Sequence, residues 1–546
     1  MKPGNREQFS DQSFFFLALL LSGSVSWFKF KNTLLHFYYE NRIWSALILS
    51  SVIFTAYLKL KSVISKKAAP KDLEEEVLAE SADDDSVFAG ISSSKKRVYI
   101  KQSFRRMHTQ VIGTTNAGKT ESVILPWAID DIRKGRGLLI VDGKSERSLI
   151  DKIYAYAYRY NRAADVRILS IFEPDISHTF NPLGGGTALE VTERAFKAFT
   201  FENEYYKNLQ YEALLYLLFL FEQNSILPTP MRVIEAFQSP VVLKDLAAQI
   251  TDTATQRWVR DFLSLTREER EQRTSGLVAQ FQPFAVGNLA PIFNSERSDI
   301  DLAQVMEQGH IVYCQLPALK VASLGKATGR LILQCLQSAV ASRHLGLAES
   351  KEFFSVYLDD FSEYLTESFV TLLNKSRSAN VAIVFAHQAL GDLAVLGDGI
   401  KNAILTNTNL KVFMRTNEPE SAEYFSSVIG TAESLKVTER QKRGVLLTQR
   451  TGEGSVRDVE EFKFHPNIFK QHMGVGEAVV VLPHAKGNLP VRMKFRRSPD
   501  LDPFLIPPVT KPEPKGLIPP ESSAEKRGGL NHLIRSPNKT STKAVA

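Results

Sequence analysis

Residues Thr109–Ser122 read TQVIGTTNAGKTES, and the fold of the chain follows from how that stretch is read. Within it Gly113-Thr114-Thr115-Asn116-Ala117-Gly118-Lys119-Thr120 satisfies G-x-x-x-x-G-K-[ST] at each fixed position. Glycines let the backbone curl until successive N–H groups point at phosphate oxygens. Lys119 is then placed to reach β- and γ-phosphates, and the Thr120 hydroxyl to hold Mg²⁺. Thr109–Ile112 predicts a short buried strand before the loop, and the apolar spacing of Glu121–Lys134 predicts a helix after it. A glycine turn that merely caps a helix is the alternative. Strand, loop and helix in this order favour a nucleotide site.

Around that loop, apolar strand-like runs alternate with helical patterns: Gly137–Val141, Ile168–Phe172, Ile311–Leu316, Phe354–Leu358, Val381–Phe385, Leu410–Met414 and Glu477–Leu482. Alternation of this kind implies an α/β fold with a mainly parallel sheet wrapped by helices. Glu190–Gln282 is almost wholly helical in period and reads as an all-α insertion. The predicted organisation is a hairpin at 1–60, an acidic linker at 61–94, and a nucleotide-binding domain in two parts, 95–186 and 301–498. The all-α domain at 187–300 separates those parts. The Pro-, Lys- and Ser-rich residues 499–546 read as a disordered tail.

Gln12–Phe28 and Ile43–Leu58 contain no charged residue. Each is slightly short of the ~20 residues that span a bilayer, and both are edged by Lys or Arg and by aromatic residues suited to the interface. A cleaved leader would explain the first segment alone; the second points to a transmembrane helical hairpin. Lys2, Arg6, Lys59, Lys61, Lys66, Lys67 and Lys71 flank the pair, against Lys29, Lys31 and Arg42 between them. That asymmetry places both chain ends in the cytoplasm, where ATP is found.

A net charge of +7 permits binding to nucleic acid or an anionic membrane without demanding it. Cys314 and Cys335 make neither a disulfide framework nor a metal set. The absence of HExxH gives no support to a membrane zinc protease fused to an ATPase.

Phosphoryl transfer needs further parts. Phe353–Asp360, FFSVYLDD, is an apolar strand ending in two carboxylates, the form of a Walker B element. Asp359 would hold Mg²⁺, and Asp360 could orient or deprotonate the attacking water; a helix cap is the structural alternative. Val381–Gln388 is a further strand, and a parallel sheet would bring Gln388 to its C-terminal edge near the γ-phosphate. Arg377 and Arg415 flank this strand and the next, and an arginine reaching a neighbouring subunit's γ-phosphate would supply transition-state charge. Arg440-Gln441-Lys442-Arg443 reads as a solvated loop before it reads as a nucleic-acid contact.

Six marks occur together: Met107-His108-Thr109, Val141-Asp142-Gly143-Lys144-Ser145-Glu146, Phe180-Asn181-Pro182-Leu183, Ile311–Leu319, the Walker B strand and Gln388. In these the chain resembles the TraD/TraG-type coupling proteins of conjugation and type IV secretion, and more distantly the FtsK and HerA DNA-pumping ATPases. The resemblance covers roughly Val98 to Leu482. It implies a membrane-tethered ring of six subunits, each a RecA-like P-loop domain with a small all-α domain facing the cytoplasm. It also implies that ATP and Mg²⁺ bind between subunits on Lys119, Thr120 and Asp359, with Arg377 at the position that acts in trans. The implied partners are DNA, a relaxase or secreted protein, and the secretion channel in a bacterial inner membrane. Asn116-Ala117 stands where the family usually has Gly-Ser, and Asp360 where Glu is common. The expected activity is DNA-translocating ATP hydrolysis; the alternatives are an FtsK-like chromosomal pump and a non-hydrolysing docking receptor.

Overall fold

The computed structural model describes residues 54–55, 85–316, 320–443, 448–483 and 487–518. The chain forms two compact units, Met1–Glu75 and Glu76–Ala546, and the architecture below belongs to the second. The apolar segments read as a membrane hairpin lie outside the described residues, apart from Phe54 and Thr55. Among the described residues no helix is long and apolar enough to cross a membrane.

Strands β1 (Ser86–Ser92), β2 (Arg97–Lys101), β3 (Thr109–Ile112), β4 (Gly137–Asp142), β5 (Val166–Ser170), β6 (Ile311–Gln315), β7 (Phe354–Asp359), β8 (Val381–His387) and β9 (Leu410–Phe413) come first. β10 (Thr431–Arg443), β11 (Thr448–Phe462), β12 (Glu477–Leu482) and β13 (Leu489–Phe495) follow. Eleven of them form one sheet in the order β2-β1-β13-β12-β9-β3-β8-β7-β4-β6-β5, while β10 and β11 form a separate antiparallel ribbon. From β9 to β5 every neighbour is parallel. From β9 outward through β12, β13, β1 and β2 each pairing is antiparallel.

The parallel strands are buried on both faces, which is why they read as continuous apolar runs. Along β4, Leu139 and Val141 join one core cluster while Leu138 and Ile140 join another on the opposite face. That is the two-residue period of a pleated strand. The first cluster continues into the insertion, whose six helices between Ala188 and Ala285 each begin at a capping side chain: Thr187, Asn203, Thr229, Ser239, Asp252 and Thr266. The helix after the P-loop opens as a π turn, Thr120–Ile124, before becoming α-helical at Leu125–Arg133. Pro126 has no N–H to donate and its ring crowds the carbonyl four residues back, which widens the preceding turn.

Two boundaries read from composition need correction. Ser86–Ser92 lies within the stretch assigned to a linker, yet it is β1 and pairs with β2 and β13. Residues 499–518 lie within the stretch assigned to a disordered tail, yet they form an extended strap. The Tyr156 hydroxyl donates to the Pro499 carbonyl (2.5 Å), Phe504 stacks on Tyr158 with centroids 4.2 Å apart, and Ile506 is buried. Val509 N–H donates to the Asp175 carbonyl (2.7 Å). The strap then reaches the insertion, where Arg232 Nε donates to the Lys515 carbonyl (3.0 Å) and the Leu517 amide donates to Glu235. Low average hydrophobicity hid this because isolated apolar residues dock one at a time, without a period.

Candidate active site

Parallel register brings the loops after β3, β4, β7 and β8 to one edge of the sheet. Ile112 stands opposite His387, and Asp142 opposite both Asp359 and Gln315. Ligands of open α/β sheets bind in the crevice at this edge.

Gly113-Thr114-Thr115-Asn116-Ala117-Gly118-Lys119-Thr120 curls over it. Thr114 N–H donates to the Arg415 carbonyl (2.8 Å), tying the loop to the end of β9. Asn116 and Gly118 adopt left-handed backbone, with φ of 62° and 94°. At Gly113 a Cβ would come within 2.8 Å of the Met414 side chain, so only glycine fits. Lys119 is buried, and its Nζ donates to the Gly113 carbonyl (2.7 Å). Burial, and next the charge of Lys144, depress its pKa.

The Thr120 hydroxyl donates to Asp359 Oδ2 at 2.5 Å across 239 residues of sequence. A hydroxyl and a carboxylate meeting at one point are hard oxygen donors of the kind Mg²⁺ selects, so the residues fit that ion. Asp360, in left-handed backbone at φ 45°, has its Oδ1 buried without a hydrogen-bond partner. Burial, opposed by Lys144 and reinforced by Asp359, leaves its carboxyl above the usual range. Gln388 lies at the end of β8, where its Oε1 accepts from the Thr115 hydroxyl (3.1 Å). Lys119, Thr120, Asp359, Asp360 and Gln388 therefore share one crevice.

Arg377 does not join them. It is exposed and caps the helix Phe369–Ser376, just ahead of β8. The seven residues of β8 separate it from Gln388, roughly 20 Å at a strand's rise per residue.

Sequence reasoning quoted Lys144 without assigning it a role. The loop after β4 aims its Nζ at Asp359 Oδ2 (3.9 Å) and Asp360 Oδ1 (3.7 Å). Asp142 holds that loop: its carboxylate accepts from the backbone N–H of Lys144 (2.9 Å), Ser145 (3.0 Å) and Glu146 (3.0 Å) and from the Tyr313 hydroxyl (2.6 Å). Burial raises the Asp142 pKa to about 6, with the Tyr313 hydrogen bond opposing and Asp359 adding to the rise. The available signal was an Asp, Gly and Lys directly at a strand's C-terminal end.

A Gly-rich loop, its lysine and threonine, and a strand-end carboxylate on a parallel sheet define a P-loop protein of the RecA-like kind. Two solved structures share the fold: the plasmid coupling protein TrwB in complex with ADP and Mg²⁺, and TrwB in complex with a non-hydrolysable ATP analogue. The first aligns with TM-score 0.55 and 14% identity over 77% of this chain and 92% of TrwB. The second aligns with TM-score 0.56 and 14% identity over 79% and 93%. Residues 59–455 match the family of the type IV secretory system described as conjugative DNA transfer, and the chain belongs to that family. The type 4 coupling protein DotL of Legionella pneumophila is 21% identical over 408 residues, 62% of this chain. The chain spans about half, 51%, of DotL's length.

Proposed function

We propose that this chain is a membrane-anchored motor ATPase that passes a DNA–relaxase complex, or a secreted protein, to a type IV secretion channel. The observation that carries the reading is the meeting of Lys119, Thr120, Asp359, Asp360 and Gln388 in one crevice. ATP would bind on the loop Gly113–Thr120, with Thr120 and Asp359 holding Mg²⁺. The ion would supply charge neutralisation between the β- and γ-phosphates. Lys119 exchanges the Gly113 carbonyl for phosphate oxygens, Gln388 orients the attacking water, and Asp360 takes up its proton. The raised pKa of Asp360 suits a group that must gain a proton during the reaction.

The position of Arg377 favours a ring. It lies a strand's length from its own crevice, so a γ-phosphate within its reach belongs to a neighbouring copy. A homo-hexamer supplies that geometry. The apolar segments at 12–28 and 43–58 would anchor the ring in a bacterial inner membrane, multi-pass, with both ends cytoplasmic.

The test is ATP hydrolysis by the purified chain with and without DNA. Wild type should hydrolyse ATP faster when DNA is added, and Lys119→Ala should abolish the activity while still folding. Hydrolysis indifferent to both DNA and Lys119→Ala would overturn the proposal. Transfer that survived Asp359→Ala at wild-type efficiency would make the chain a docking receptor instead.

A further inference from the structure

The ammonium facing the acidic pair is not that of the P-loop. Lys119 is turned onto the Gly113 and Thr114 carbonyls at 2.7 and 3.4 Å. Lys144 is the cation within 4.0 Å of both Asp359 and Asp360.

Several features of the fold serve to put it there. Gly143 N–H donates to the Asp359 carbonyl (3.3 Å), and a Cβ at Gly143 would lie 3.2 Å from the Asp360 backbone and side chain, so the two loops pack at glycine distance. Ser145 adopts left-handed backbone at φ 63°, uncommon for a residue other than glycine. Gln315 Nε2 donates to the Ser145 carbonyl (3.4 Å). The wholly buried Asp142 carboxylate accepts three successive amides of the same loop. A solvated surface lysine needs none of this.

The oxygen that Lys144 approaches is Asp359 Oδ2, the same atom that accepts from Thr120. A divalent cation seated on Thr120 and Asp359 would therefore stand within a few ångströms of an ammonium. At that separation, in a half-buried crevice, the repulsion is large enough to weaken binding of a bare ion about tenfold or more. A polyphosphate arriving with the ion reverses the balance, because its negative charge attracts both cations.

We infer that Lys144 is a positioning residue that competes with the metal for Asp359, so that Mg²⁺ binds well only together with the nucleotide. The inference rests on the nucleotide-site reading above. It adds a coupling: nucleotide and metal raise each other's affinity through the charge of one side chain.

Mn²⁺ titration of the purified full-length chain, with and without a non-hydrolysable ATP analogue, tests it. Wild type should bind Mn²⁺ weakly alone and much more tightly with the analogue. Lys144→Gln should bind Mn²⁺ alone about tenfold more tightly, shrinking the gap, and Lys144→Arg should restore the wild-type gap. If Lys144→Gln leaves the affinity for Mn²⁺ alone within twofold of wild type, the inference is wrong although the nucleotide site stands. If wild type does not bind the analogue at all, the nucleotide reading itself fails. A second measurement needs no variant: Mn²⁺ alone should leave the wild-type unfolding temperature unchanged while Mn²⁺ with the analogue raises it. An equal rise with Mn²⁺ alone would overturn the inference.

Discussion

Strand β7 carries two charge clusters of opposite character. Toward its start, Ser355 and Tyr357 meet Arg105 and Asp131 in a core with no exposure. Arg105 binds Asp131 through two hydrogen bonds of 2.9 and 2.7 Å and donates to Ser355 (2.9 Å) and Tyr357 (2.7 Å). Arg136 adds a third contact to Asp131 at 3.0 Å. At its end, Asp359 and Asp360 crowd against Asp142 and share one half-exposed lysine. Burial disfavours charge in both places. In the first cluster Arg105 and Arg136 overcome it and hold the Asp131 carboxyl well below the usual range. In the second it prevails at Asp142, Asp360 and Lys119, raising the two carboxyls and lowering the ammonium, while Lys144 alone is held above its ordinary value by the carboxylates around it. Paired ions stabilise a fold, whereas ions left short of partners on the same strand await a ligand that brings them.

The largest expected effect lies in the ion-paired cluster. Arg105→Met should cost about 3–5 kcal/mol in unfolding free energy, because Asp131 would keep only Arg136 and Tyr357 in a core without water. Denaturant titration measures it. A cost below about 1 kcal/mol would mean that the cluster is not what it looks like and would remove the contrast with the site.

Next comes a buried group that is satisfied only when neutral. His108 Nδ1 accepts from Ile383 N–H (3.2 Å) while Nε2 pairs with the Leu373 carbonyl (2.8 Å), so protonation would break the first bond. Burial lowers its pKa from 6.5 to about 4. The unfolded chain thus binds this proton at higher pH than the folded one. The stabilisation is full above pH 6.5 and is lost as pH falls toward 4, amounting to at most about 3 kcal/mol. Unfolding free energy measured across that window should show the slope in wild type and less of it in His108→Gln; identical slopes would assign the acid sensitivity elsewhere.

In the active-site cluster the sign for stability reverses. Asp359→Asn should cut ATP hydrolysis a hundredfold or more, about 2.7 kcal/mol of barrier, yet leave the unfolding midpoint unchanged or higher. Removing one of three crowded carboxylates relieves repulsion. A fall in midpoint like that of Arg105→Met would show the pair to be structural.

The two clusters were unequally legible before folding. Lys119 and Thr120 close a loop of fixed spacing, and Asp359 and Gln388 stand at strand ends, so local pattern and a parallel sheet suffice to place them. Arg105 and Asp131 lie 26 residues apart, and Ser355 and Tyr357 lie more than 220 residues further along. No local pattern records a contact made only when one helix lies across one strand. Lys144 was visible but unread, since a lysine in a turn usually faces water. The antiparallel strands β1, β2 and β13 and the strap at 499–518 were missed for the same reason, as long-range partners alone define them. Arg377 was read as acting on a neighbouring subunit, and in its own chain it sits at the other end of β8 from Gln388.

Two tyrosines on the same face of the sheet sharpen the comparison most finely. Tyr357 donates its hydroxyl to Asp131 Oδ2 at 2.6 Å, and Tyr313 donates to Asp142 Oδ2 at 2.6 Å. Both are fully buried, and removing either hydroxyl deletes one hydrogen bond to a carboxylate. Tyr357→Phe should cost about 2 kcal/mol, because Tyr357 also accepts from Arg105 and the change removes two charge-assisted contacts at once, although Asp131 and Ser355 still take the Arg105 Nη2 protons. Tyr313→Phe should cost about 1 kcal/mol, because three backbone amides still hold Asp142. The smaller change should nonetheless be the one that alters function: a looser Asp142 loosens the loop bearing Lys144, so Tyr313→Phe should change the dependence of ATP hydrolysis on metal concentration while Tyr357→Phe leaves it alone. Equal effects of the two substitutions on that dependence would mean that the clusters are mechanically one, and that the division along β7 is a matter of geometry and not of role.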